Sequence, residues 1–122
     1  MMTETFLFDT YALIEVIKGS KNYEKYIDCK MLINEFIFAE LCYKLFRETH
    51  ENANFYLDKY SPFIFEITPD IIKEAMRFRV KNKKKKLSMT DCISYVMAGT
   101  YNIKFLTGNK EFEDLENVEF VK

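Results

Sequence analysis

The chain has 122 residues, enough for one domain with a hydrophobic core and too few for two. With 48% hydrophobic and 30% charged residues it is globular rather than disordered, and its 12 Phe, against 8 Tyr and no Trp, must dominate the core. A net charge of −1 excludes no class of partner; what bears on a polyanion is where the lysines stand, and they bunch at Lys81 and Lys83 to Lys86.

Cys29, Cys42 and Cys92 are scattered, odd in number and without a CxxC pair, and each lies in an apolar stretch. They read as buried thiols of a reducing compartment, and His50, the only histidine, cannot build a zinc site alone. Met1-Met2-Thr3-Glu4 lacks the basic start of a secretory leader, and Asp9 interrupts the apolar run that follows. The longest uncharged stretch, Cys92 to Ile103, falls short of the roughly 20 residues a membrane helix needs. The expectation is a soluble cytoplasmic protein, a single domain over residues 1–122, with no membrane association.

Thr5-Phe6-Leu7-Phe8 reads as a buried strand that stops at an acid. Leu13, Ile14 and Ile17 give a helix over Thr10 to Lys18, ended by Gly19, and Ser20 is placed to cap a short second helix through Ile27. Met31-Leu32-Ile33 is the second strand, and Asn34 caps a helix running to about Glu48. A further helix covers Glu51 to Lys59. Pro62 opens a third strand, Phe63 to Ile67, and Thr68-Pro69-Asp70 starts the next helix with a capping hydroxyl, a proline and an acid in the first turn. Ser88 begins a helix carrying Cys92, Ile93, Val96 and Met97; Ile103 to Leu106 is a fourth strand, and Val118 to Val121 a candidate fifth. Strands alternating with helices predict an α/β fold with a mostly parallel sheet of four to five strands, covered on both faces. Sites in such sheets form at the carboxyl ends of strands, near a topological switch point.

Three acids stand where a core is expected. Asp9 directly follows the first strand, either as a site carboxylate or as a helix cap. Glu40 is the only charge in Phe36 to Tyr43; it either faces a cation or pairs with Lys44 one turn on. Asp91 follows Ser88 at the capping-box spacing, a role compatible with a site at the sheet's end. Thr107-Gly108-Asn109 after the fourth strand is turn chemistry that also places a hydroxyl and an amide there. Carboxylates brought together raise one another's pKa unless a cation joins them, and an all-oxygen set suits Mg²⁺ or Mn²⁺ rather than zinc.

In this order the segments Phe6-Leu7-Phe8-Asp9-Thr10, Phe38-Ala39-Glu40-Leu41, Leu87-Ser88-Met89-Thr90-Asp91 and Phe105-Leu106-Thr107-Gly108-Asn109-Lys110-Glu111-Phe112 resemble the PIN-domain family, specifically the single-domain VapC-type toxins of prokaryotes. The resemblance covers nearly the whole chain. It implies a three-layer α/β/α sandwich and Mg²⁺-dependent hydrolysis of RNA phosphodiester bonds, with Mn²⁺ as a possible substitute. It makes Asp9, Glu40 and Asp91 the catalytic acids. Asp9 and Asp91 would be direct or water-bridged metal ligands, Glu40 would hold or deprotonate metal-bound water, and Thr10 and Thr107 would support them. Asn109 departs from the aspartate usual at its position and would be a weak ligand, which puts a second metal in doubt. The resemblance also implies a cognate antitoxin that covers the acidic pocket and a homodimer, for which Tyr23, Tyr26, Phe55 and Tyr56 are either interface or core.

Lys83, Lys84, Lys85 and Lys86 stand just before the third acid, as a solvated loop or as an RNA phosphate clamp. Two other functions compete. One is a non-catalytic PIN-like domain that binds RNA or protein, suggested by Asn109. The other is a phospho-receiver signalling domain, which shares length, parallel topology and an acidic pocket, but usually has paired acids after its first strand.

Overall fold

The structure is a computed structural model that describes residues 4–122, so Met1-Met2-Thr3, where a leader would begin, lies outside the described residues. The apolar run forms β1 (Thr5–Phe8), buried over its last three residues. Both its edges are paired in parallel, one by β2 (Lys30–Leu32) and the other by β3 (Lys104–Thr107). A strand covered on both faces and paired on both edges has no position for a polar side chain, which is why Phe6-Leu7-Phe8 shows no alternation. The last strand, β4 (Val118–Phe120), joins β3 in parallel, giving the order β2-β1-β3-β4.

Among the described residues five α-helices flank this sheet in a three-layer α/β/α arrangement: α1 (Thr10–Lys18), α2 (Glu35–Arg47), α3 (Ala53–Tyr60), α4 (Pro69–Lys81) and α5 (Met89–Thr100). Several of their ends are set by residues expected from sequence. Gly19 closes α1 in the left-handed region at φ 76°. The Asn34 side chain accepts the Ile37 N–H at 2.9 Å, and the Thr68 hydroxyl accepts that of Ile71 at 3.3 Å. Ser20 makes no capping bond, and the segment after it is a 3₁₀ helix, Lys21–Tyr26. Tyr23 and Tyr26 are buried there. The Tyr23 hydroxyl donates to the Val121 carbonyl, and that of Tyr26 to Glu119 Oε2 at 2.6 Å, so both belong to the core rather than to an interface. Phe55, by contrast, is exposed.

One expected strand is absent. Phe63 to Ile67 touches the sheet only at a single bridge, Ile33 to Ile64, after a 3₁₀ turn at Ser61–Phe63. The reason lies in its partner. β2 ends at Leu32 and Asn34 already caps α2, so the edge offers no length to pair with. Phe65 remains exposed and packs edge-on against Tyr101. The sheet therefore has four strands among the described residues, with the candidate fifth realised as β4. The cysteines also depart from expectation: all three are free, but only Cys92 is buried and the other two are half-buried. No helix among the described residues is long and apolar enough to cross a membrane.

The chain passes from β1 to β2 on one side and crosses to β3 on the other only after four helices. The crevice at the carboxyl ends of β1 and β3 is thus the topological switch point. Pairing runs right up to it, since the Asp9 N–H donates to the Leu106 carbonyl at 3.0 Å. The chain after β3 is packed tightly there. A Cβ on Gly108 would collide with the Tyr11 ring and the Val121 carbonyl oxygen. Gly108→Ala is expected to cost about 1–3 kcal/mol, the range for overpacking, measured as a lower urea midpoint with unchanged m-value.

Candidate functional site

Asp9 leaves β1 at the N-cap position of α1, but its side chain makes no capping hydrogen bond. The carboxylate instead turns across the switch point and accepts the Thr107 hydroxyl on Oδ2 at 2.7 Å, joining the ends of β1 and β3. Thr107 is itself fully buried, and its oxygen accepts the Asn109 N–H at 3.0 Å. Asp9 is only 5% exposed.

Glu40 is carried by α2, half-buried, and accepts the Thr10 hydroxyl on Oε1 at 2.6 Å. That bond spans α1 and α2 and fixes Glu40 beside the residue that follows Asp9. The expected alternative, an ion pair with Lys44, does not form among the described residues, although Lys44 lines the same cavity. Asp91 lies in the first turn of α5. Its Oδ2 accepts the Ser88 N–H at 2.9 Å while its own N–H donates to the Ser88 hydroxyl at 3.1 Å, the reciprocal capping box that the spacing suggested. Capping consumes one oxygen. Oδ1 of Asp91 and Oε2 of Glu40 accept no hydrogen bond among the described residues.

All three acids line one open cavity of about 760 Å³ together with Thr10, Asn109, Lys44, Lys110, Tyr11 and Tyr43. They converge on a cavity rather than on a point: among the described residues no three acid, histidine or cysteine side chains are close enough to enclose an ion directly. Asn109 also has another task. Its Oδ1 accepts the Glu111 N–H at 3.1 Å and caps the 3₁₀ helix Lys110–Phe112, so the amide is partly committed to backbone.

The electrostatics follow from burial among like charges. Asp9 is pushed from its ordinary 3.8 up to about 7, chiefly by desolvation and further by Asp91 and Glu40, against the opposing hydrogen bonds from Thr107 and the Thr10 backbone. Asp91 is also raised, mainly by burial, with Ser88 opposing and Glu40 adding to the rise. The site lacks positive charge within ion-pairing distance of these acids among the described residues.

The lysine run does not line the cavity. Lys85 is held by the Glu111 carbonyl at 3.1 Å and by Asp114 at 2.9 Å, and the Lys86 backbone N–H donates to Glu111 Oε1 at 2.9 Å. These bonds tie the loop before Asp91 to the 3₁₀ helix after Asn109. Lys83, Lys84 and Lys86 remain exposed. The lysines that do reach the cavity are Lys44 and Lys110, both missed from sequence. For Lys44 a signal was present: it stands four residues after Glu40, on the same face of α2.

A family model described as PIN domain matches residues 6–118. No curated protein matches the sequence. Among solved structures, a toxin–antitoxin complex from Klebsiella pneumoniae is similar at 22% identity and a TM-score of 0.76, covering 93% of this chain and 94% of that one. VapBC2 of Rickettsia felis, bound to a DNA fragment from its promoter, matches at 18% identity and 0.76, with coverage of 97% and 99%. VapC20 of Mycobacterium tuberculosis, a sarcin-ricin loop cleaving toxin, matches at 14% and 0.78, with coverage of 96% and 99%. At these identities the likeness is one of fold.

The buried Asp9 makes stability depend on pH. Its folded pKa, about 7, exceeds the unfolded value near 3.8, so between these limits the folded state holds more protons and stability falls as pH rises. The full difference corresponds to about 4 kcal/mol at most. Urea unfolding in a chelator is expected to show stability declining from about pH 4 to pH 7 and levelling above. Asp9→Asn is expected to flatten the profile and raise stability at the alkaline end.

Proposed function

The chain belongs to the PIN-domain family, and on that footing we propose that it is a metal-dependent endoribonuclease, the toxin of a toxin–antitoxin pair. The observation that carries this reading is the buried Asp9 carboxylate at the switch point, sharing a cavity with two further acids, none of the three ion-paired with a basic side chain among the described residues. The similar solved structures, two of them toxin complexes and one a cleaving toxin, support the same reading.

The donor set fits a hard divalent cation. It is all oxygen, without cysteine or histidine, and the acids are spaced around a cavity. Mg²⁺ keeps several of its waters, so a spaced set suits it, and Mn²⁺ shares its ligand preference. Asp9 and Asp91 would hold the ion directly or through water, with Asn109 a weak additional ligand. When bound, such an ion polarises the scissile phosphate and makes water a stronger nucleophile at neutral pH. The protein supplies the rest. Thr107 orients Asp9, and Thr10 orients Glu40 so that Oε2 is left to take the proton of the attacking water. Lys83, Lys84 and Lys86 extend positive charge beyond the cavity for the flanking phosphates, whereas Lys85 is committed to Asp114 and Glu111. The same reading makes the protein a cytoplasmic homodimer with an antitoxin that covers the acidic cavity.

One observation favours a second reading, a PIN domain that binds without cutting: the position usually held by an aspartate is Asn109, and its amide caps a helix. Cleavage of a mixed RNA pool separates the two. The nuclease cleaves with Mg²⁺, loses cleavage in chelator and in Asp9→Asn, and falls about 10²–10⁴-fold in Glu40→Gln. Intact RNA under all conditions supports the non-catalytic domain. In a bacterial host, expression of the wild type but not of Asp9→Asn is expected to arrest growth. Changing Lys83, Lys84 and Lys86 to Ser is expected to lower the salt slope of RNA binding by about 0.7 for each phosphate these lysines neutralise, and an unchanged slope removes them from the RNA path.

A further inference from the structure

An unusual side chain stands beside the acids. Tyr43 is 64% exposed, yet it lines the acidic cavity. It follows Glu40 by three residues on α2, so the two share a helix face about 4.5 Å apart along the axis. The Arg47 guanidinium lies over the Tyr43 ring at 5.3 Å from its centroid, one turn further on. Lys44 is adjacent in sequence and lines the same cavity, and Lys110 lines it from the far side of the switch point.

An exposed aromatic ring carrying a cation, next to lysines and at the mouth of an anionic cavity, combines two opposite requirements. The floor demands a cation and the rim demands an anion with an apolar face. A single-stranded nucleic acid satisfies the rim, because its bases stack on aromatic rings while its phosphates meet Lys and Arg. Tyr43 and Arg47 would also suit a protein partner, since protein interfaces are enriched in both, but Lys44 and Lys110 would not, and it is the pairing of the ring with two lysines that favours a nucleic acid strand. The other exposed aromatic residues of α2, Phe36 and Phe46, do not line the cavity, which leaves Tyr43 as the ring on this helix that a strand entering the site would meet.

We propose that Tyr43 is a stacking platform for an unpaired base next to the scissile phosphate, with Arg47 fixing its ring and Lys44 and Lys110 holding the neighbouring phosphates. That the neighbouring phosphate is the scissile one rests on the nuclease reading, but the binding itself does not need cleavage. The substrate is therefore single-stranded at that base. Tyr43 is a specificity residue that selects unpaired RNA, and it takes no part in the chemistry.

The test uses the full chain carrying Asp9→Asn, so that RNA survives, and a fluorescein-labelled single-stranded RNA of mixed sequence, about 12 nucleotides long. Anisotropy is followed with salt, and the same strand annealed to its complement is measured beside it. Tyr43→Leu is expected to weaken single-strand binding about tenfold, to leave the salt slope unchanged and to narrow the preference over duplex. Tyr43→Phe, which keeps the ring, is expected to restore the binding that Leu loses. Lys44→Gln and Lys110→Gln are each expected to lower the slope by about 0.7. Thermal melts confirm that the variants fold. Equal binding by Tyr43→Leu, failure of Tyr43→Phe to rescue, no binding of this RNA at all, or an effect of Tyr43 confined to a protein partner would each overturn the platform. Cleavage of the same RNA by the chain with native Asp9 is scored separately. If that chain cleaves while Tyr43 is neutral, only the platform fails. If RNA binds through Tyr43 and is never cleaved, the platform stands and the nuclease reading falls.

Discussion

A carboxylate at the end of a fully buried central strand is the constraint on which this structure turns. β1 is paired on both edges and covered on both faces, so the residue that follows it emerges into low dielectric with no choice of surroundings. Aspartate there is costly as a charge, and the cost is increased by Asp91 and Glu40. The fold answers with neutral donors, the Thr107 hydroxyl and the Thr10 backbone, and not with a basic side chain. On the nuclease reading proposed above, a cation entering this cavity would relieve the repulsion among the three acids. The same arrangement explains why Glu40 and Asp91 are held by separate bonds, to Thr10 and to Ser88, at a distance from Asp9 rather than collapsed upon it.

Much of this was legible in the sequence, and the legible parts share a cause. Local hydrogen-bonding chemistry has short range, so Asn34, Thr68 and the Ser88–Asp91 pair marked three helix starts that the structure reproduces. The apolar residues Phe6-Leu7-Phe8 before Asp9 and Phe105-Leu106 before Thr107 marked the buried parallel strands. The Phe63 to Ile67 segment misled because its composition is that of a strand, while its pairing depended on the length of a distant edge. Tyr23 and Tyr26 were ambiguous for a related reason: their burial is decided by Val121 and Glu119 at the opposite end of the chain.

The site shows the same division. Asp9 and Glu40 could be nominated from their apolar surroundings, but not their partners Thr107 and Thr10, whereas the Ser88 box of Asp91 was legible in its spacing. Asp9 sits in a capping position without capping, which no local pattern reveals. The lysine run looked like the obvious partner for a polyanion, yet Lys85 serves to tie the loop before Asp91 to the turn after Asn109. That tie brings two edges of the cavity into register, and the lysines that reach the cavity itself are isolated ones, Lys44 and Lys110. Charge density along a sequence is a poor guide to charge at a site when the fold decides which side chains are used.

The claim that Asp9, Glu40 and Asp91 act together as one cation site is tested most directly by Mn²⁺ binding followed by electron paramagnetic resonance. The protein is expected to take up Mn²⁺, to release it to excess Mg²⁺, and to bind it at least about tenfold more weakly when Asp9 or Asp91 is changed to Asn. Uptake that is unchanged in both variants would show that the acids share a cavity without sharing an ion.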